Sequence, residues 1–425
     1  MKRKGSGIMN IIQIIEKKKF QQELTKEEID FFIKGYVKDE IPDYQISALL
    51  MAIRLNGMTD EETFHLTDAM IRSGETIDLS EIEGFKIDKH STGGVGDKVT
   101  LIVAPILAAL GIPVAKFSGK GLGITGGTID KLESIKGFRT ELSAEEFIER
   151  VNTNKIAVAG QTANLVPADK KLYALRDVPG TVDSIPLIAA SIMSKKIASG
   201  ADGIVLDVIC GSGAFMKTEE EAQLLADTMT AIGQKLGRKV IAHISDMDNP
   251  LGRMIGNKLE VVEAYELLRG NMEQTHEDLW NECVTISTLM YQLSTGKSEE
   301  ESNNAVIEVL NNHSALEKFK QLITSQGGDL EDIQKKNTQF EVAVQSENTG
   351  IVEKVDALMI GEVSVSLGAG RLTKDDQLDY DAGIQIVKKK GELVQQGETI
   401  AYLYSNKEIT LQQIEKAKNA FVIVK

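Results

Sequence analysis

Two glycine-rich turns, Lys89-His-Ser-Thr-Gly-Gly-Val-Gly-Asp97 and Ser118-Gly-Lys-Gly-Leu-Gly-Ile-Thr-Gly-Gly-Thr128, constrain this chain more than any other feature. Each mixes hydroxyls and cations into its glycines. Glycine lets the backbone turn sharply and bring N–H groups close to an oxyanion, while Ser, Thr and Lys add side-chain donors and charge. Each turn also follows a short apolar run that reads as a strand. The pair therefore predicts two walls of one anion pocket in an α/β sheet, and a phosphate-handling enzyme is the leading reading. A plain glycine-rich turn between strand and helix is the alternative for either loop alone.

At 425 residues the chain exceeds what one hydrophobic core serves, so two or three domains of roughly 100–200 residues each are expected. The 48 basic and 63 acidic residues leave a net charge of −15. That balance argues against non-specific binding to a nucleic-acid backbone, which draws its affinity from a positive surface. A bound phosphate must then be held by local cations. Two cysteines, Cys210 and Cys283, are too few for a disulfide framework or a cysteine-ligated zinc, and a reducing cytoplasm is expected. The basic start is followed by the amphipathic run Asn10 to Lys19, unlike a signal-peptide core. The apolar stretch Leu101 to Ala115 falls short of the roughly 20 residues that span a bilayer and is interrupted by Pro105 and Pro113, so no membrane span is predicted.

Residues 10–75 read as helices, with capping boxes at Thr25/Glu28 and Thr59/Glu62 and a helix start at Ile41-Pro-Asp. From Phe85 short β-branched runs alternate with glycine turns and helices: 85–88, 114–117, 156–159 and 204–208. Helical character returns over 168–176 and 185–198, as if the chain revisits the first helical unit. Long helices follow at 219–236, 259–268 and 277–295. After Gln339 the pattern becomes strand-like again, and the Lys388-Lys-Lys390-Gly turn reads as a solvated hairpin tip. The domains expected are a small helical one (1–75 with about 165–199), a large α/β phosphate-binding one (about 76–164 and 200–338) and a C-terminal α+β one (339–425).

In the first loop Asp88 closes the predicted strand, and Lys89, His90 and Ser91 follow at its carboxyl end, where α/β sheets place ligands. His90 is the only one of five histidines in a glycine-rich loop. It can donate a proton near neutral pH, or it is a structural imidazole on a backbone carbonyl. In the second loop Lys116 and Ser118 end a strand, and Thr128 stands at the N-terminus of the next helix. A third constellation pairs Tyr173 with Arg176 and Ser191 with Lys195 at helical spacing. Two cations and a hydroxyl there suit the carbonyls and ring N–H of a planar heterocycle. Solvated surface charge is the alternative.

Taken together, Lys-x-Ser-x-Gly-Gly-Val-Gly-Asp, Ser-Gly-x-Gly-Leu-Gly-x-Thr-Gly-Gly-Thr-x-Asp-Lys-Leu-Glu, Tyr-Ala-Leu-Arg-Asp-Val, Ser191-Ile-Met-Ser-Lys-Lys, Gly213-Ala-Phe-Met-Lys-Thr218, Pro250-Leu-Gly-x-x-Ile-Gly-Asn257 and Leu367-Gly-Ala-Gly-Arg371 resemble the thymidine and pyrimidine-nucleoside phosphorylases over nearly the whole chain. The resemblance implies reversible phosphorolysis of a pyrimidine nucleoside. It implies a helical domain, a large α/β domain with a mixed central sheet and a C-terminal α+β part, with homodimers joined through the helical domains. Phosphate would meet Lys89, His90, Ser91, Thr100, Lys116, Phe117, Ser118 and Thr128. The base would meet Tyr173, Arg176, Ser191 and Lys195, and His90, Arg176 and Lys195 would be catalytic. No organic cofactor, nucleic acid or membrane is implied.

Four departures stand out. Ile124 replaces the second loop's usual His, Lys120 its Arg, and Ile209-Cys210 a Lys-Thr pair before Gly211. The fourth is Lys98, normally Thr. The family binds potassium through residues matching Gly96, position 98, Leu251, Met254 and Glu263. The Lys98 ammonium is expected to take that ion's place; a solvent-pointing side chain is the alternative. A phosphoribosyltransferase like those that use anthranilate, which lacks the C-terminal domain, and a paralogue that binds nucleosides without turnover remain competing readings.

Overall fold

The computed structural model describes residues 9–425 apart from 122, 125, 163, 177–178, 372 and 374–375, so Leu122 and Thr125 of the second loop and Asp177-Val178 after Arg176 lie outside the described residues. The chain forms two compact units. The first comprises residues up to Leu79, Thr162–Ala201 and Gln223–Val240; the second comprises Ser80–Gln161, Asp202–Ala222 and Ile241–Lys425.

In the helical unit the boundaries follow local chemistry. Helices Lys26–Val37 and Asp60–Ile71 open on complete capping boxes, Thr25 with Glu28 and Thr59 with Glu62. Helix Asp43–Asn56 starts after Pro42, whose fixed φ suits a first turn. The returning helices Pro167–Arg176 and Ile185–Ala198 share one core with the N-terminal ones: Phe32, Ile46, Leu49, Ile53 and Leu66 meet Leu172, Leu187 and Ala190. Helices from the two stretches of chain therefore pack into one core. Residues 223–240, which the sequence reading gave to the α/β domain, also belong to this unit.

The second unit is built on parallel strands. Strand β1 (Ile87–Ser91) pairs in parallel with β4 (Gly203–Cys210), and β2 (Val114–Ser118) with β3 (Ile156–Gly160); β5 (Lys239–Asp246) flanks β4. Helix Val99–Ala109 is apolar and buried around almost its whole circumference, so most of the apolar stretch Leu101 to Ala115 is a core helix that runs through Pro105, and its end enters β2. Among the described residues no helix is long and apolar enough to cross a membrane.

The C-terminal stretch is antiparallel. Strands β6 (Met254–Gly256), β7 (Phe340–Gln345), β9 (Gly383–Ile386) and β11 (Thr399–Ser405) form one sheet in the order β6-β9-β11-β7, and β8 (Gly350–Val355), β10 (Leu393–Val394) and β12 (Phe421–Val424) form another in the order β10-β8-β12. Because β6 comes from the α/β segment, residues 339–425 are stitched into that unit through a shared sheet.

Candidate active site

The first loop begins inside a strand. The sequence reading ended the strand at Asp88, but β1 continues through Ser91 because Lys89, His90 and Ser91 pair with Val205, Leu206 and Asp207 of β4. Alternation along β1 sends Lys89 and Ser91 to one face and Asp88 and His90 to the other. Lys89 is 2% exposed, and its Nζ lies 2.7 Å from Asp207 Oδ2 and 3.5 Å from Asp97 Oδ1. Burial works against its charge, but Asp207 and Asp97 outweigh that and hold its pKa above the ordinary lysine value. Burial would likewise raise Asp97; Lys89 and Lys131, with a hydrogen bond from Ser91, instead hold it down at about 2.

Ser245 Oγ lies 2.6 Å from Asp207 Oδ1 and 2.8 Å from Glu282 Oε1. The single hydroxyl hydrogen of Ser245 is shared between the two carboxyls. Burial, with the neighbouring Asp97 and Glu282, raises the Asp207 pKa against the pull of Lys89.

The two loops adjoin. Lys116 at the end of β2 is buried, and its Nζ donates to Asp88 Oδ1 (2.9 Å) and to the carbonyl of Lys89. Beyond the second loop, Lys131 donates from Nζ to the Asp97 carbonyl (2.5 Å) and pairs with Glu260 (2.8 Å). Gly127 packs so tightly against the loop's start that a Cβ there would fall 2.3 Å from Gly121 N. Arg371 of the Leu367–Arg371 motif fastens the same loop: its carbonyl accepts from Gly123 N (2.9 Å), and its guanidinium pairs with Asp130 (2.8 Å), whose other oxygen accepts from Gly121 N (2.6 Å). Ser118 closes β2, Thr100 lies in the first turn of helix Val99–Ala109, and Thr128 begins helix Thr128–Glu133, all half-buried.

One expected pocket residue is placed elsewhere. The Phe117 ring packs 4.3 Å from that of Phe147, on the face of β2 opposite Lys116, so it belongs to the core.

In the helical unit Tyr173, Arg176, Ser191 and Lys195 come together. Lys195 Nζ donates to Ser191 Oγ (2.9 Å) and to Asp169, and it lies 5.7 Å from the Tyr173 ring centre; the Arg176 guanidinium lies 5.9 Å from the same ring. Solvated surface charge is excluded for Arg176, which is 2% exposed. Three of its five N–H donors go to the carbonyls of Thr181, Val182 and Leu187. Asp169 escaped the sequence reading, although its i, i+4 relation to Tyr173 was available.

The departures have structural places. Ile124 packs on Gly361, where a Cβ would come 2.9 Å from Ile124 Cβ, so an apolar contact stands where an imidazole was expected. Lys120 pairs with Glu133 at 2.9 Å and is exposed. Ile209 joins the main core, and burial raises the Cys210 thiol pKa. Lys98 does not point to solvent: its Nζ reaches Leu251 O, Met254 O and Glu263 Oε2. The predicted solvated tip at 388–390 is corrected at Lys389, 2% exposed, whose Nζ is held by Asp278 Oδ2 at 2.7 Å and by main-chain carbonyls.

Comparison with known proteins gives three matches along the chain: a glycosyl transferase family helical bundle domain over residues 12–74, a glycosyl transferase family a/b domain over 83–316, and a pyrimidine nucleoside phosphorylase C-terminal domain over 351–424. A pyrimidine-nucleoside phosphorylase of Staphylococcus haemolyticus is 52% identical over 420 residues, which cover 98% of this chain and 96% of that one. One from Staphylococcus aureus strain MSSA476 matches to the same extent. Among solved structures, anthranilate phosphoribosyltransferase from Thermus thermophilus superposes with a TM-score of 0.57 at 18% identity, covering 74% of this chain and 99% of its own, a likeness of fold.

Proposed function

Because the chain belongs to the pyrimidine-nucleoside phosphorylase family, we propose that it catalyses the reversible phosphorolysis of uridine, thymidine and deoxyuridine to free base and (deoxy)ribose 1-phosphate. The observation that carries this reading is the joining of the two glycine loops, through Lys116 on Asp88 and the Lys89 carbonyl and through Lys131 on the Asp97 carbonyl. Inorganic phosphate binds there, on Lys89, Ser91, Thr100, Ser118 and Thr128. One phosphate oxygen attacks C1′ as the bond from C1′ to the base nitrogen breaks, and the bonding electrons leave with the base. Arg176 and Lys195 stabilise that negative charge where it develops, Tyr173 and Ser191 orient the ring, and His90 donates a proton or hydrogen bond to O2. The protein works as a homodimer joined through its helical domains, in the cytoplasm.

The fold likeness to a phosphoribosyltransferase supports a second reading, transfer of a phosphoribosyl group. The C-terminal domain match over 351–424 and the Tyr173–Lys195 cluster favour phosphorolysis. Incubation with each nucleoside and inorganic phosphate, followed by assay of free base and sugar 1-phosphate, tests the reading. Nucleoside binding without product would leave a binding paralogue; product formed only from a phosphoribosyl diphosphate would favour the transferase.

A further inference from the structure

Buried ammonium groups are rare, because desolvating the charge costs far more than burying the stem returns. Lys98 and its partner Glu263 are both 0% exposed at the side chain. Lys98 Nζ lies 2.8 Å from Leu251 O, 2.9 Å from Met254 O and 2.6 Å from Glu263 Oε2, so each of its three N–H donors has an oxygen. Burial opposes the charge, but Glu263 and Glu260 outweigh it and raise the pKa.

The loop around it is shaped to this contact. Glu263 also accepts from the backbone N–H of Arg253 (2.7 Å) and Met254 (2.9 Å). Gly96, at φ +80°, lies so close that a Cβ there would meet Leu251 O at 2.5 Å and Lys98 Nζ at 3.4 Å. Leu251 N donates to Val95 O (3.0 Å), tying the loop to the first glycine turn. From the C-terminal stretch, Lys389 Nζ takes the intervening carbonyls, Pro250 O (2.5 Å) and Gly252 O (2.9 Å). Two lysines thus bind four carbonyls of the segment 250–254.

Two main-chain carbonyls and a carboxylate converging beside a glycine make the all-oxygen donor set of a hard cation. The family's potassium residues match Gly96, Leu251, Met254 and Glu263, but the residues present do not fit the ion: a nitrogen already stands where their oxygens meet. We propose that the Lys98 ammonium is a covalently tethered replacement for the monovalent cation, fixing the segment 250–254 to the first glycine loop and making this protein independent of potassium. A tethered cation cannot dissociate, so the mass-action dependence of stability on ion concentration disappears.

The geometry is independent of the catalytic reading, and the first readout is thermal. The full chain is melted in choline chloride, sodium chloride and potassium chloride at one ionic strength. The wild type is expected to give the same Tm in all three. Lys98→Thr should melt several degrees lower in choline and recover in potassium, whereas Lys98→Met should be destabilised without recovery. A wild-type Tm that rises saturably with potassium overturns the proposal, and so does a folded Lys98→Thr that does not respond to it. If Lys98→Thr fails to fold, wild-type crystals soaked in a rubidium salt decide: no anomalous peak among Gly96, Leu251 and Met254 is expected, and a peak there overturns the assignment.

Discussion

At the glycine loops of the sheet unit, Lys89, Lys98, Lys116 and Lys131 are all buried, and each is answered by a carboxylate, Asp207, Glu263, Asp88 and Glu260 respectively. The cluster in the helical unit is different. Tyr173 is exposed and Lys195 half-buried, while Ser191 and Arg176 are buried, Arg176 on main-chain carbonyls. In the proposed reading the loops are the phosphate cradle, and their charges also hold the fold together; the helical cluster keeps a reachable cation on a stable pair of helices. A small, highly charged anion rewards fixed donors, whereas a flat heterocycle rewards side chains that adjust on contact.

The largest effect expected from this contrast lies in the cradle. Lys89→Met leaves Asp207 buried beside Asp97 and Glu282 without its cation, and breaking a buried pair from one side costs about 3–5 kcal/mol. Urea unfolding and phosphorolysis should therefore fail together. Activity lost at full stability would show that the cradle is not the structural knot described here. In the helical unit the two readouts should separate. Lys195→Ala is expected to lose about 3–4 kcal/mol in kcat/KM, the scale for a lost electrostatic donor. Its ammonium is partly exposed, and its charge-assisted hydrogen bonds to Ser191 and Asp169 contribute about 1.5–3 kcal/mol to folding, less than the loss expected in catalysis. Turnover at the wild-type rate would remove Lys195 from the base clamp.

The same contrast explains what could be read from the sequence. The capping boxes and the helices 185–198 and 277–295 are local signals of spacing and capping, and they appear at those residues. The loops were legible because glycine and lysine spacing is a main-chain requirement. The partners were not. Asp207, Ser245 and Glu282 lie on strands and a helix far along the chain, and only the parallel register of β1 on β4 brings Asp207 to Lys89. Lys389 illustrates the same limit: three lysines before a glycine look solvated until a distant loop offers Asp278 and two carbonyls. Phe117 was misread because an aromatic ring beside a polar motif gives no sign of which strand face it takes.

The smallest effect lies at the edge of the cradle, where a pH profile probes the carboxyl network from outside. His243 on β5 lies 3.6 Å from Glu282 Oε2, and that carboxylate, against the opposing cost of partial burial, raises the imidazole pKa above its ordinary value. A raised folded-state pKa contributes stability that is complete below the unfolded value of about 6.5 and is lost as pH rises through the folded one. The wild type should accordingly lose stability as pH rises above about 6.5, and His243→Gln should flatten that slope without the collapse expected of Lys89→Met. Parallel unfolding curves for the two proteins across that range would mean that Glu282 does not lend its charge to His243.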